Sequence, residues 1–157
     1  MKTTILIAAV ALMGPLVGAA GAEEPAKEAS AEAKPAEEKP AGGIQFFQGT
    51  HAEAVAKAKA DGKGVFVFAN TKWCGPCRWM AGNVLNDADV GAVFNDRFVS
   101  MNMDMEQGEG LALMRTWGIR AYPTLLFFDG SGKEVKRSMN AKKAEELLKL
   151  AQEVQTP

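Results

Sequence analysis

A chain of 157 residues with 18 basic and 19 acidic side chains is sized for one domain or somewhat less, and its net charge of -1 argues against nucleic-acid binding, whose usual footprint is a basic stripe. Two cysteines are too few for a disulfide-stapled scaffold, and with a single histidine they are too few for a four-ligand Cys/His zinc site. The 47% hydrophobic content is that of an ordinary globular protein, so a folded core is expected.

The first elements in chain order are not part of that core. Lys2 precedes an apolar run from Ile5 to Val17, shorter than the roughly 20 residues a membrane span requires. Ala20 and Ala22 supply the small-x-small pattern of a signal-peptidase site, so residues 1–22 are predicted to be a signal peptide cleaved near Ala22, with an uncleaved anchor as the competing reading. No cysteine follows the run, which excludes a lipid anchor. Residues 23–43 hold six Glu, three Lys, three Pro and no apolar side chain larger than Ala. Such a stretch cannot bury enough surface to offset the entropy of ordering, and it is expected to be a disordered, charged linker. Residues 44–157 then form the domain, close to the commonest domain size and able to bury roughly two-thirds of its surface without staples.

Within the domain, Thr50-His51-Ala52-Glu53 is a capping box, predicting a helix to about Ala60 that Asp61-Gly62-Lys63-Gly64 stops. Val65 to Ala69 is a continuous β-prone run, the pattern of a strand buried on both faces. A helix is expected after Trp73-Cys74-Gly75-Pro76-Cys77, with Pro76 in its first turn, and a short helix near Asp89 to Asn95. Phe98 to Met103 reads as a strand. Glu109 to Trp117 reads as a helix with Leu111, Met114 and Trp117 on one side and Gly118 at its end. Thr124 to Phe128 is a strand, and Asp129 to Gly132 turns the chain into a returning arm from Lys133 to Arg137. Asn140 is placed to cap a last helix whose Leu147, Leu150, Ala151 and Val154 form an apolar stripe. Strands alternating with helices in this order predict an α/β fold: a central mixed sheet, partly parallel, flanked by helices and closed by an antiparallel hairpin.

The chemistry is carried by Cys74 and Cys77. A Cys-x-x-Cys where a buried strand meets a helix puts the first sulfur near unpaired N–H groups and the positive end of the helix dipole, which favours the reactive thiolate. The second sulfur lies one turn on. A Cys74 thiolate can attack a substrate disulfide and leave a mixed disulfide that Cys77 resolves. A structural disulfide adds little loop-closure entropy over so short a span, and a metal site lacks ligands; two buried free thiols are the remaining bland reading. Met101, Met103 and Met105 alternate on a strand face, as core packing or, alternatively, as soft ligands for Cu(I). His51 is expected to be exposed, and Trp79 and Trp117 to pack.

Trp73-Cys74-Gly75-Pro76-Cys77, with Tyr122-Pro123-Thr124 ahead of an apolar strand, resembles the active-site motif and cis-proline loop of thioredoxins over roughly Ile44 to Val154. The flanking residues are more similar to exported thioredoxin-like domains such as the C-terminal periplasmic domain of DsbD-type thiol:disulfide interchange proteins. The resemblance implies a thioredoxin fold, Pro123 in cis beside Cys74, and a substrate-binding surface of Trp73, Gly75, Pro76, Tyr122, Pro123 and Thr124. It also implies a periplasmic or secreted monomer that requires no cofactor, reduces disulfides in exported proteins and takes electrons from a membrane thiol transporter. An oxidant or isomerase, or a non-enzymatic copper-binding or partner-docking module, is the alternative. In one respect the chain departs from thioredoxins: their buried Asp and its paired Lys are matched by Phe68 and Ser100. Slower resolution of the mixed disulfide is expected, with water, Lys72 or Glu53 standing in for the missing acid.

Overall fold

The computed structural model describes residues 42–155. The predicted signal peptide, its cleavage site near Ala22 and residues 23–41 of the predicted linker lie outside the described residues. Gly43, at the edge of that linker, already belongs to the domain: it is buried, and its carbonyl accepts from Asn95 Nδ2 at 3.0 Å.

Each element begins where local chemistry can satisfy its backbone. Helix α1 (His51–Asp61) starts at Thr50, whose Oγ1 accepts from the Glu53 N–H while the Glu53 carboxylate accepts from the Thr50 N–H, and ends at Gly62, where φ is 66°. Strand β1 (Gly64–Asn70) leads into α2 (Gly75–Asn83), with Pro76 in its first turn. The helix foreseen near Asp89 is a full ten residues, α3 (Ala88–Arg97), because the Asp87 side chain accepts from the N–H groups of Asp89 and Val90. Strand β2 (Phe98–Asp104), helix α4 (Gly108–Thr116), strands β3 (Thr124–Phe128) and β4 (Glu134–Met139), and helix α5 (Ala144–Glu153) complete the order.

The sheet runs β2-β1-β3-β4, with β1 parallel to β2 and antiparallel to β3, and β3 antiparallel to β4. Alternation along β1 divides the core in two. Phe66 and Phe68, with Leu125 and Phe127 from β3, face α2, α3 and α5 through Cys77, Met80, Phe94, Leu147 and Ala151. Val65, Val67 and Ala69, with Leu126 and Phe128, face α1 and α4 and pack against Ala54, Ala58, Met101 and Met103. Met105, just past β2, is buried in this second layer too, so all three alternating methionines are surrounded by apolar side chains.

Four expectations are corrected. Asn140 does not cap α5; it lies at the end of β4 in the left-handed region (φ 67°), which Asn tolerates, and donates its N–H to the Pro123 carbonyl at 3.0 Å. Helix α5 instead starts after Lys143, whose N–H donates to the Glu146 carboxylate. His51 is half-buried, edge-on to Trp117 and Phe128 at centroid distances of 5.0 and 4.8 Å. Trp79 and Leu111 are exposed; α4 packs through Leu113, Met114 and Trp117.

Candidate active site

The site forms where β1 stops. After Asn70 the chain turns so that the Cys74 N–H donates to the Thr71 carbonyl at 3.2 Å, and Cys74 becomes the N-cap residue of α2. Its Sγ accepts from the Cys77 N–H at 3.2 Å, so the sulfur occupies the position a Ser or Asp oxygen takes in an ordinary cap. The pair is closed as a Cys74–Cys77 disulfide with Cα atoms 5.3 Å apart. Both cysteines are only 3% exposed, whereas Gly75 and Pro76 between them are at the surface. The Cys77 N–H of this first helical turn faces the Cys74 sulfur, and when the pair is reduced the helix dipole favours its negative form.

Trp73 is 65% exposed, yet its ring is held: Nε1 donates to both carboxylate oxygens of Glu106 at 3.0 Å, and its edge meets the Tyr122 ring at 5.9 Å. Tyr122 is half-buried and donates its hydroxyl to Met114 Sδ at 3.2 Å. Burial, followed by the nearby Glu106 and Asp104 carboxylates, holds the Tyr122 phenol above its usual range, so it stays protonated. The Tyr122–Pro123 peptide bond is cis. Pro123 and Thr124 are buried, and Thr124 Oγ1 donates to the Ala121 carbonyl at 2.7 Å, fixing the entry into β3. The β1–α2 turn and the β3 entry, some 50 residues apart in sequence, thus meet through Trp73 and Tyr122. Glu106 was not foreseen. It follows β2 with no motif of its own, and its contact with Trp73 spans 33 positions.

Behind the sulfurs, the parallel register sets Asn102, not Ser100, opposite Phe68; Ser100 pairs with Phe66, two residues earlier. Sequence alone does not set this register between β1 and β2. Of the expected stand-ins for the missing acid, Glu53 is committed to the cap of α1, where its carboxylate accepts from both the N–H and Oγ1 of Thr50. That engagement holds its pKa below the ordinary carboxylate value. Lys72 does border a cavity that reaches Cys77.

The profile of a family described as thioredoxin-like matches residues 47–130. Thioredoxin H4-1 of Oryza sativa is 33% identical over 91 residues, which is 58% of this chain and 64% of the rice protein. The thiol:disulfide interchange protein DsbD of Pseudoalteromonas atlantica is 30% identical over 87 residues, 55% of this chain and 15% of that protein. Among solved structures, a provisionally assigned disulphide-isomerase of Bacteroides thetaiotaomicron is 42% identical with a TM-score of 0.64, covering 74% of this chain and 99% of its own. The chain spans less than two-thirds of the length of the curated relatives it matches.

Proposed function

The chain belongs to the thioredoxin-like family, and on that premise we propose that it is a thiol:disulfide oxidoreductase that reduces disulfides in exported proteins. The observation that carries this reading is the Cys74–Cys77 disulfide closed across the first turn of α2, beside an exposed Trp73 and a cis Tyr122–Pro123 bond. In the reduced protein, the Cys74 thiolate attacks a substrate disulfide, one substrate sulfur leaves as a thiol, and Cys77 displaces the other to restore the disulfide now present. Two electrons pass to the substrate. Trp73, Gly75, Pro76 and Tyr122 form the rim on which an extended substrate segment lies, with Pro123 and Thr124 beneath it.

Export is supported by the apolar run from Ile5 to Val17 and the small residues ending at Ala22. That setting, the periplasm or the cell exterior, requires an electron source across a membrane, and the likeness to DsbD suggests a membrane thiol transporter as donor. The reducing direction rests on the Gly-Pro dipeptide inside the motif, shared with thioredoxins. The likeness to proteins described as disulfide isomerases supports isomerisation or oxidation as the second reading.

Two measurements test the proposal. A Cys77→Ser protein should accumulate a mixed disulfide at Cys74 with a disulfide-bonded protein, and Cys74→Ser should accumulate none. Equilibration of the dithiol with glutathione should give a potential near about -270 mV. A value near about -120 mV, a difference of about 7 kcal/mol, would transfer the assignment to an oxidant.

A further inference from the structure

The two aromatic side chains that border the disulfide each carry one polar donor, and each donor is already paired within the protein. Glu106 takes the Trp73 N–H, and Met114 Sδ takes the Tyr122 hydroxyl at 3.2 Å. The rings meet edge-on, with centroids 5.9 Å apart and planes at 82°. With both donors committed, the corner formed by the residue before Cys74 and the residue before Pro123 offers a substrate carbon surface in place of hydrogen bonds.

Met114 lies on α4, eight positions before Tyr122, and is half-buried against the core layer that contains Val67 and Leu126. Tyr122 packs against that layer and also against the one that contains Cys74 and Cys77, so its ring bridges the two. A hydroxyl in such a place needs an acceptor; deprived of one, it gains by moving into water and draws the ring with it. A thioether suits the position because it packs as an apolar group and still accepts a hydrogen bond. Leu would fill the same space and give the phenol nothing.

We infer that Met114 is a positioning residue whose sulfur holds Tyr122 against Trp73, and that the corner so fixed selects disulfides whose cysteine has apolar neighbours. The inference rests on the disulfide-exchange reading above and adds a substrate class to it. In the step concerned, the Cys74 thiolate forms an S–S bond with the substrate sulfur while the neighbouring side chain lies in the corner, and the S–S bond to the other sulfur breaks. Cys77, as thiolate, then displaces the held sulfur. The enzyme dithiol is oxidised and the substrate disulfide reduced.

Two short peptides serve as probes, each with a single cysteine joined as a mixed disulfide to thionitrobenzoate and differing only in whether Leu or Asn flanks that cysteine on both sides. Thionitrobenzoate is the better leaving group, so its release by the reduced protein reports the peptide sulfur joining Cys74. The wild-type protein should react about fivefold faster with the Leu peptide. Met114→Leu conserves volume and removes only the acceptor, so the protein should fold while the ratio falls to about twofold or less. In the Tyr122→Phe background the same change at Met114 should leave the ratio where Tyr122→Phe alone sets it, since no hydroxyl is left to hold; a general disturbance of packing would lower the ratio in both backgrounds. Tyr122 is the single tyrosine of the chain, so phenolate absorbance of the oxidised protein reports it alone. Burial, with Glu106 and Asp104, holds that phenol above its ordinary 10.0, and Met114→Leu should move its midpoint down toward that value. Equal rates on the two peptides in the wild type, an unchanged ratio or an unmoved midpoint in Met114→Leu, or the same loss in both backgrounds would overturn the inference. Release that is undiminished in Cys74→Ser would instead remove the exchange reading itself.

Discussion

Glu106 decides how Trp73 meets a substrate. Both of its carboxylate oxygens accept from the indole N–H, which holds a large exposed ring in one orientation against the edge of Tyr122. A ring left free would have to be ordered by the substrate itself, at a cost in side-chain entropy on binding. Glu106→Ala should therefore raise KM for a disulfide-bonded protein by about threefold while leaving reaction with a small disulfide unchanged. Because Glu106 is exposed, stability should shift by no more than about 0.5 kcal/mol. Steady-state kinetics with both substrates, alongside thermal unfolding, check this. At the same scale the cysteines, Trp73 and the Tyr-Pro-Thr run were readable from the sequence, since each belongs to a contiguous motif. Glu106 was not, because its role depends on what faces it across the fold.

The position of Glu106 depends in turn on how α4 joins β2. Gly110 lies in the first turn of α4, and a Cβ there would collide with the carbonyl oxygen of Asp104, the last residue of β2. Only glycine lets the helix approach the strand end so closely. Gly110→Ala should push α4 outward, cost about 2 kcal/mol or more, and draw Glu106 away from the Trp73 ring. A lowered thermal midpoint together with altered tryptophan emission checks it; a lowered midpoint with unchanged emission would separate packing from the site. Helix starts were readable where the capping groups lie within three residues, as at Thr50 and Glu53. Asn140 was misassigned because the same residue type that caps helices also tolerates the left-handed region, and the Pro123 carbonyl that receives its N–H lies 17 positions earlier.

For the molecule as a whole, His51 joins three elements. Its ring sits against Trp117 and Phe128, and its backbone N–H donates to Glu109 of α4 at 2.8 Å. Burial pushes its pKa below the ordinary value of 6.5, with Glu109 pulling the other way. With the folded value depressed, the unfolded chain binds the proton more readily, so this contribution to stability is complete above about 6.5 and is lost as pH falls through the folded value. The thermal midpoint should therefore drop between about pH 7.5 and about pH 5.5, and a His51→Asn protein should lack that part of the drop. Carboxylates held below their usual range, at Glu53 by Thr50 and at Glu153 by Lys136, add a further loss only at more acid pH.

The sequence by itself determined the order of the elements, the double burial of β1, the cap of α1 and the placement of a Cys-x-x-Cys at a strand-to-helix junction. All of these follow from hydrogen bonds and periodicities that close within a few residues. Tertiary structure alone decided which β2 residue stands beside Phe68, that His51 is half-buried, and that Glu106 clasps Trp73. Each of these contacts joins positions tens of residues apart or depends on how closely two elements pack. Strand register and helix approach set them, and no local pattern encodes either.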